Sequence, residues 1–186
     1  MDNNEIVING KKLYDTLISH ALWFNSEGEE GVLANFDGEN LSGANLSYVN
    51  LRSARFVNSD LRNVNMYHSD ISFADFEGSD LSGSNLSYSD FHKANLRNAD
   101  LRNAELFGCD FRGANLIGAN LIGANIDYSC WPLWCGSNNV KVDVKIAAQL
   151  AAHFCALDCD DPAFLDAREK LLAFARKSHR ASDLNI

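Results

Sequence analysis

Every fifth residue from Phe36 to Ile126 is large and apolar, nineteen in succession without an exception. Neither a helix nor a strand has a period of five, so each unit must turn a corner before its next large side chain points inward. Two positions before these large residues the residue is nearly always small, as at Ala44, Ala54, Ser59, Ser79, Ala94 and Ala114. A narrow tube has no room for two large side chains per unit, so these small residues share the interior. Cys109 falls at this small inward position. One position before the large residue, Asn or Asp dominates, as at Asn45, Asp60, Asp80 and Asn115. Short polar side chains of this kind bond to nearby backbone in turns.

Glycines at Gly38, Gly43, Gly78, Gly83, Gly113, Gly118 and Gly123 tolerate corner dihedrals. The unit is therefore Ala/Ser-Asn/Asp-Leu/Phe-X-X, and over residues 34–128 its register never slips. In this the sequence resembles the pentapeptide-repeat family. The resemblance implies an all-β solenoid, a right-handed quadrilateral β-helix in which four pentapeptides make one 20-residue coil. The spacing of like residues supports that coil independently. Phe36, Phe56 and Phe76 stand 20 apart, as do Phe91 and Phe111, and Leu41, Leu61, Leu81, Leu101 and Leu121 form a pure leucine column. Nineteen repeats make about 4.75 coils, a rod about 23 Å tall at the ~4.8 Å spacing of paired strands. Only the two ends of such a rod are open edges that need covering.

The flanks supply α-helical caps at both termini in this reading. Residues 1–33 begin with Ile6-Val7-Ile8, and Leu13, Leu17, Ile18, Ala21 and Phe24 follow at helical spacing, predicting a helix over 11–25. Residues 129–186 form the other flank. Ser129 to Ser137 contains Trp131, Trp134, Cys130 and Cys135 and suits a plug on the last coil. Helices are expected at 143–157, with Ile146, Leu150, Phe154 and Leu157 on one face, and from Pro162 to about Lys177. Asp161-Pro162 makes a good start for the latter. Two short amphipathic helices must pack on the rod, on each other or on a second subunit.

The sequence carries no Gly-rich phosphate loop, no nucleophile elbow and no HExxH motif. Solenoid walls are flat or convex, whereas active sites are usually concave. The expectation is a non-catalytic protein without a cofactor. The one alternative site is a zinc centre or an enzymatic role in the tail, built from Cys130, Cys135, Cys155 and Cys159 with His153 nearby. Their spacings, x4 and x3 with one pair at helical i, i+4, lack the tight knuckle of structural zinc sites. Buried or half-exposed structural thiols are the simpler expectation. Five cysteines, all in the second half, do not describe a disulfide framework.

The net charge of −9 argues against direct nucleic-acid binding, which needs Lys and Arg to displace counterions. No apolar run approaches the ~20 residues of a membrane-spanning helix. The acidic start Met1-Asp2-Asn3-Asn4-Glu5 is unlike a basic signal peptide, so cytoplasmic residence is expected. Some pentapeptide-repeat proteins protect DNA gyrase from quinolones with an acidic rod that imitates duplex DNA, and the resemblance makes such a DNA mimic the alternative function. Its candidate residues are the ladders Asp60/Asp80/Asp100 and Asp70/Asp90/Asp110. Arg62, Arg102, Lys93 and Arg112 interleave with them and spoil the imitation. Taken wall by wall, the rod carries −1 on the Phe36 wall, −2 on the Leu41 wall, −2 on the Leu46 wall and 0 on the Leu51 wall.

The Leu46 wall differs from the others. Its only charges are Glu105 and Asp127, and it displays Tyr48, Tyr67, His68, Tyr88, Phe107 and Tyr128. Tyrosine is enriched at interaction surfaces. This wall is the expected binding face of a scaffold or interaction protein, whose partner is another protein. A homodimer through this face or through the C-terminal helices is a further expectation.

Overall fold

The computed structural model describes residues 6–8, 10–131, 140–155 and 162–178. The expected Trp/Cys plug lies mostly outside them, as do Asp161, Cys135 and Cys159. Two compact units are present, one ending at Lys141 and one beginning at Val142.

In the first unit each pentapeptide folds as one β-turn. The Ala44 N–H donates to the Leu41 carbonyl at 2.9 Å across Ser42-Gly43, and Gly43 has φ +70°. A positive φ at the third turn residue defines a type II turn. The preceding Asn or Asp holds the turn from outside, as where Asn40 Oδ1 accepts the Ser42 N–H at 3.0 Å. The expected turn role of these residues is thus a specific backbone bond.

Successive coils pair as parallel bridges between residues 20 apart, from Asn35 with Arg55 through Asp110 with Cys130. The Leu41 N–H donates to the Asp60 carbonyl at 2.8 Å, and the Asp60 N–H to the Glu39 carbonyl at 2.9 Å. Four pentapeptides therefore make each coil of a β-helix. The ladder runs beyond Tyr128: Cys130 pairs with Asp110, and Lys141 pairs with Asn120. That last pairing spans 21 residues rather than 20.

Inside, the large side chains are wholly buried and stacked, with Phe36 on Phe56 at 4.9 Å and Phe56 on Phe76 at 4.6 Å between ring centroids. Serines at the small inward position are buried but satisfied. Ser59 Oγ donates to the Phe56 carbonyl at 2.7 Å, and Ser69 Oγ to the Leu46 carbonyl at 2.7 Å. An interior hydroxyl without such a bond would cost about 1–3 kcal/mol.

The corner residues carry a second pattern, at a spacing of 20. On the Phe36 wall the positive-φ corners run Gly38, Asn58, Gly78, Asn98, Gly118; on the Leu41 wall they run Gly43, Asn63, Gly83, Asn103, Gly123. Each Asn leans on the glycine one coil later. A Cβ on Gly78 would sit 2.3 Å from Asn58 Oδ1, and one on Gly123 would sit 2.2 Å from Asn103 Oδ1. A side chain at either glycine would require the asparagine amide to swing aside.

At the start of the unit, β1 (Val7–Ile8) pairs antiparallel with β2 (Lys11–Lys12), and α1 (Leu13–Asn25) follows. The helix expected over 11–25 begins two residues late because Lys11 and Lys12 are taken into the hairpin. The Val32 N–H donates to the Ser19 carbonyl at 3.1 Å, and the Ala34 N–H to His20 Nδ1 at 3.2 Å. His20 is wholly buried, so burial pulls its pKa below the ordinary 6.5. Its imidazole is neutral, with the proton on Nε2, since Nδ1 is the acceptor. Gly31 lets the chain pass α1: a Cβ there would lie 2.1 Å from the Ser19 carbonyl oxygen.

The second unit contains α2 (Val144–Cys155) and α3 (Pro162–Ala175), close to the expected 143–157 and 162–177. Ala152, Cys155 and Ala175 are buried together, with Ala151 and Leu172 packed on them. Among the described residues no helix is long and apolar enough to cross a membrane.

Gly38→Ala meets no neighbour and pays only for its backbone, about 1 kcal/mol. Gly78→Ala should cost clearly more in urea unfolding, and adding Asn58→Gly should recover the excess. Equal costs for the two glycines would refute the interlock. For His20, the unfolded chain binds a proton more readily than the folded one, so stability is complete above pH ~6.5 and falls as pH drops through it. His20→Gln should flatten that part of a pH series of urea midpoints. An unaltered slope between neutral pH and pH ~5 would show that His20 does not cause it.

Candidate functional site

On the Leu46 wall the corner position is occupied by Tyr48, His68, Tyr88, Gly108 and Tyr128, with φ between +57° and +68°. Tyr48, His68 and Tyr88 stack face to face, at 5.6 and 5.0 Å between centroids and within 9° of parallel. Tyr67 stands edge-on to all three, at 4.7 to 5.8 Å. The column breaks at Gly108, because the Tyr88 ring leans over it; a Cβ there would be 2.9 Å from Tyr88 Cδ1. Phe107 bridges the break, 5.3 Å from Tyr88 and 5.0 Å from Tyr128. The six expected residues are thus brought into one continuous band. Tyr48 is 72% exposed and Tyr128 64%. Stacking occupies ring faces, and Tyr48, Tyr88 and Tyr128 remain exposed to solvent.

These rings sit in backbone that suits them poorly. Bulky L-residues at positive φ are outliers, each costing about 1 kcal/mol relative to glycine. The Phe36 and Leu41 walls meet the same demand with glycine and asparagine alone. Strain of this kind is retained where function or packing requires it.

The acid ladders are not free carboxylates. Asp60 takes a two-point bond from Arg62, with Nε–Oδ1 at 2.8 Å and Nη2–Oδ2 at 2.6 Å. Asp100 is held by Arg102 and Asp110 by Arg112 in the same way. The Arg62 bond holds Asp60 below its usual pKa, and Arg112 does so for Asp110. At Asp100 burial pushes upward and is outweighed by Arg102 and Lys141. Asp80 lies 4.0 Å from Arg62. Asp70 accepts the Ser72 N–H and hydroxyl, and Asp90 the His92 N–H. An Arg two residues after an Asp was visible in the sequence; its bidentate grip on the turn's own carboxylate was not.

The cysteines are scattered in environment. Cys109 is buried and donates to the Leu86 carbonyl at 3.0 Å, and burial pushes its thiol up to about 12. Cys130 is exposed, and Cys155 is buried between α2 and α3. Among the described residues no group of three or more His, Cys, Asp or Glu is placed to hold a metal ion.

The pentapeptide-repeat model matches in eight copies, over residues 34–63, 44–83, 65–103 and 99–130, more than half of the chain. The chain belongs to the pentapeptide-repeat family. Among solved pentapeptide-repeat structures, one from the Arabidopsis thaliana thylakoid lumen is 25% identical. The match covers 64% of this chain and 77% of that one, with a TM-score of 0.53. Rfr23 from the cyanobacterium Cyanothece 51142 is 28% identical over 59% of this chain and 87% of its own, with a TM-score of 0.36. QnrB1, a plasmid-mediated fluoroquinolone resistance protein, is 19% identical over 65% and 85%, with a TM-score of 0.38. No curated protein matches this pentapeptide-repeat chain.

The repeat pattern does not single out Phe73. Phe73 points outward at a corner of the Leu51 wall, with φ +59° and 40% exposure. An aromatic at a variable repeat position was the available signal.

Alkylation with iodoacetamide under native conditions at mildly alkaline pH should modify Cys130 and spare Cys109, read by peptide mass spectrometry. Rapid labelling of Cys109 would contradict its interior placement.

Proposed function

We propose that this pentapeptide-repeat protein is a non-catalytic interaction module that binds a protein partner through its Leu46 wall. The observation that carries this reading is the band of Tyr48, Tyr67, His68, Tyr88, Phe107 and Tyr128, in continuous ring contact on the least charged wall, with Tyr48, His68, Tyr88 and Tyr128 on strained positive-φ corners. Aromatic rings pre-fixed by their neighbours lose little side-chain entropy on binding, which favours them as anchors. The alternative, an acidic DNA mimic acting on a topoisomerase, fits less well. A phosphate row needs exposed carboxylates, and Asp60, Asp100 and Asp110 are each neutralised by an arginine of the same turn.

Helix α1 is read as the cover of the first coil. The bonds from Val32 to Ser19 and from Ala34 to His20 support that role for α1. A second copy of the chain is one candidate partner, and the exposure of Leu165 and Leu171 on α3 supports an apolar contact surface there as well.

Replacing Tyr67 and Tyr88 together by Ser should weaken self-association or partner capture by at least tenfold, since anchor tyrosines are worth about 2 kcal/mol or more. Light scattering and affinity capture from the native cell measure the two. Unchanged behaviour in both would remove the aromatic wall as the binding face.

A further inference from the structure

We propose that Arg52, Phe73 and Lys93, with the cleft beside Trp23 and Phe24, form a second binding site, for an acidic peptide segment carrying one large apolar side chain. The coils between residues 34 and 128 contain seven basic side chains. Five of them, Arg55, Arg62, Arg97, Arg102 and Arg112, lie within 4.0 Å of a carboxylate. Arg52 and Lys93 are the other two, and neither makes such a pair among the described residues. They converge instead on one ring: Arg52 Cζ lies 4.6 Å and Lys93 Nζ 5.3 Å from the Phe73 centroid.

A guanidinium over an aromatic face keeps its in-plane N–H fork available for a carboxylate. The ring thus fixes two positive groups, from coils on either side of its own, without neutralising them. Asp70 and Asp90 share this wall, but their bonds go to Ser72 and to the His92 backbone. His92 closes the edge of Phe73 at 5.8 Å, and its Nδ1 is buried without a hydrogen-bond partner.

Arg52 also belongs to a cleft of about 230 Å³, whose other lining residues are Trp23, Phe24, Glu27 and Ser53. Phe24 is 39% exposed there. An apolar side chain can enter between the two aromatics while its flanking carboxylates reach Arg52 and Lys93. Glu27 is the one acid in the lining and repels a ligand carboxylate, which orients the acidic part of the ligand toward Lys93. Phe73 and Lys93 both occupy positive-φ corners, at +59° and +56°, so this cluster is maintained against backbone strain as the aromatic wall is. The chain's charge of −9 disfavours nucleic acid as the occupant.

The probe is a fluorescein-labelled peptide, Asp-Glu-Asp-Phe-Asp-Glu, titrated with the full chain and read by anisotropy at low and high salt. We expect saturable binding that weakens with salt, falls at least tenfold in the Arg52→Gln/Lys93→Gln protein, and falls again when the peptide's Phe is replaced by Ser. The Tyr67→Ser/Tyr88→Ser protein should bind it normally, which separates this site from the Leu46 wall. Absence of saturable binding to the unmodified chain overturns the proposal. So does equal affinity for the peptide with its acids changed to Lys, a control that needs no protein variant. Stronger binding of a phosphopeptide or of single-stranded DNA of equal length would likewise reject a carboxylate-selective site.

Discussion

The backbone ladder between residues 20 apart closes only if the chain turns through a positive-φ corner at every fifth residue. From that demand the rest of the molecule follows. The corner aims each large side chain inward, fixes the small residue beside it, and leaves the Asn or Asp on the outside to hold the turn. Asn40 on Ser42 and Ala44 on Leu41 are one instance of a unit repeated around all four walls. Since a coil's backbone groups bond to the adjacent coils, within their own turns and to the turn's Asn or Asp, little of the wall's conformation is left to the outward residues. Those residues are free to differ.

They differ in two ways. The Phe36 and Leu41 walls fill their corners with alternating glycine and asparagine, and the asparagine of one coil occupies the space that the next glycine leaves open. These walls are the mechanical half of the solenoid. The Leu46 and Leu51 walls place Tyr48, His68, Phe73, Tyr88, Lys93 and Tyr128 at the same strained corner. Ring stacking and cation–π contacts return part of that cost, at about 0.5–1.5 kcal/mol per pair. The strained side chains remain exposed, which is where interaction chemistry has to be.

The inward register, the 20-residue coil and the six residues of the aromatic band were legible in the sequence, because a narrow interior admits one large residue per turn and makes any slip visible. The pairing of Asn58 with Gly78 was not, since it joins two variable positions 20 apart and vanishes when the repeats are averaged. Nor was the break at Gly108, which depends on how the Tyr88 ring leans. The acid ladders were read correctly as positions, while the fate of their charge was set by arginine geometry that spacing alone does not give. The start of α1 shifted to Leu13 because a two-residue hairpin competed for Lys11 and Lys12. In sequence Phe73 is one aromatic among polar residues, and only the fold brings Arg52 and Lys93 onto its ring.

The division of labour among the walls can be tested directly with a photo-crosslinking residue. p-Benzoylphenylalanine placed at Ser87 lies in the aromatic band, and at Ser82 it lies on the neighbouring Leu41 wall, at the same position of its repeat. Irradiated in the native cell, the Ser87 protein should yield a discrete adduct with a protein partner or a second copy, and the Ser82 protein none. Adducts confined to Ser82, or equal at both positions, would contradict the account.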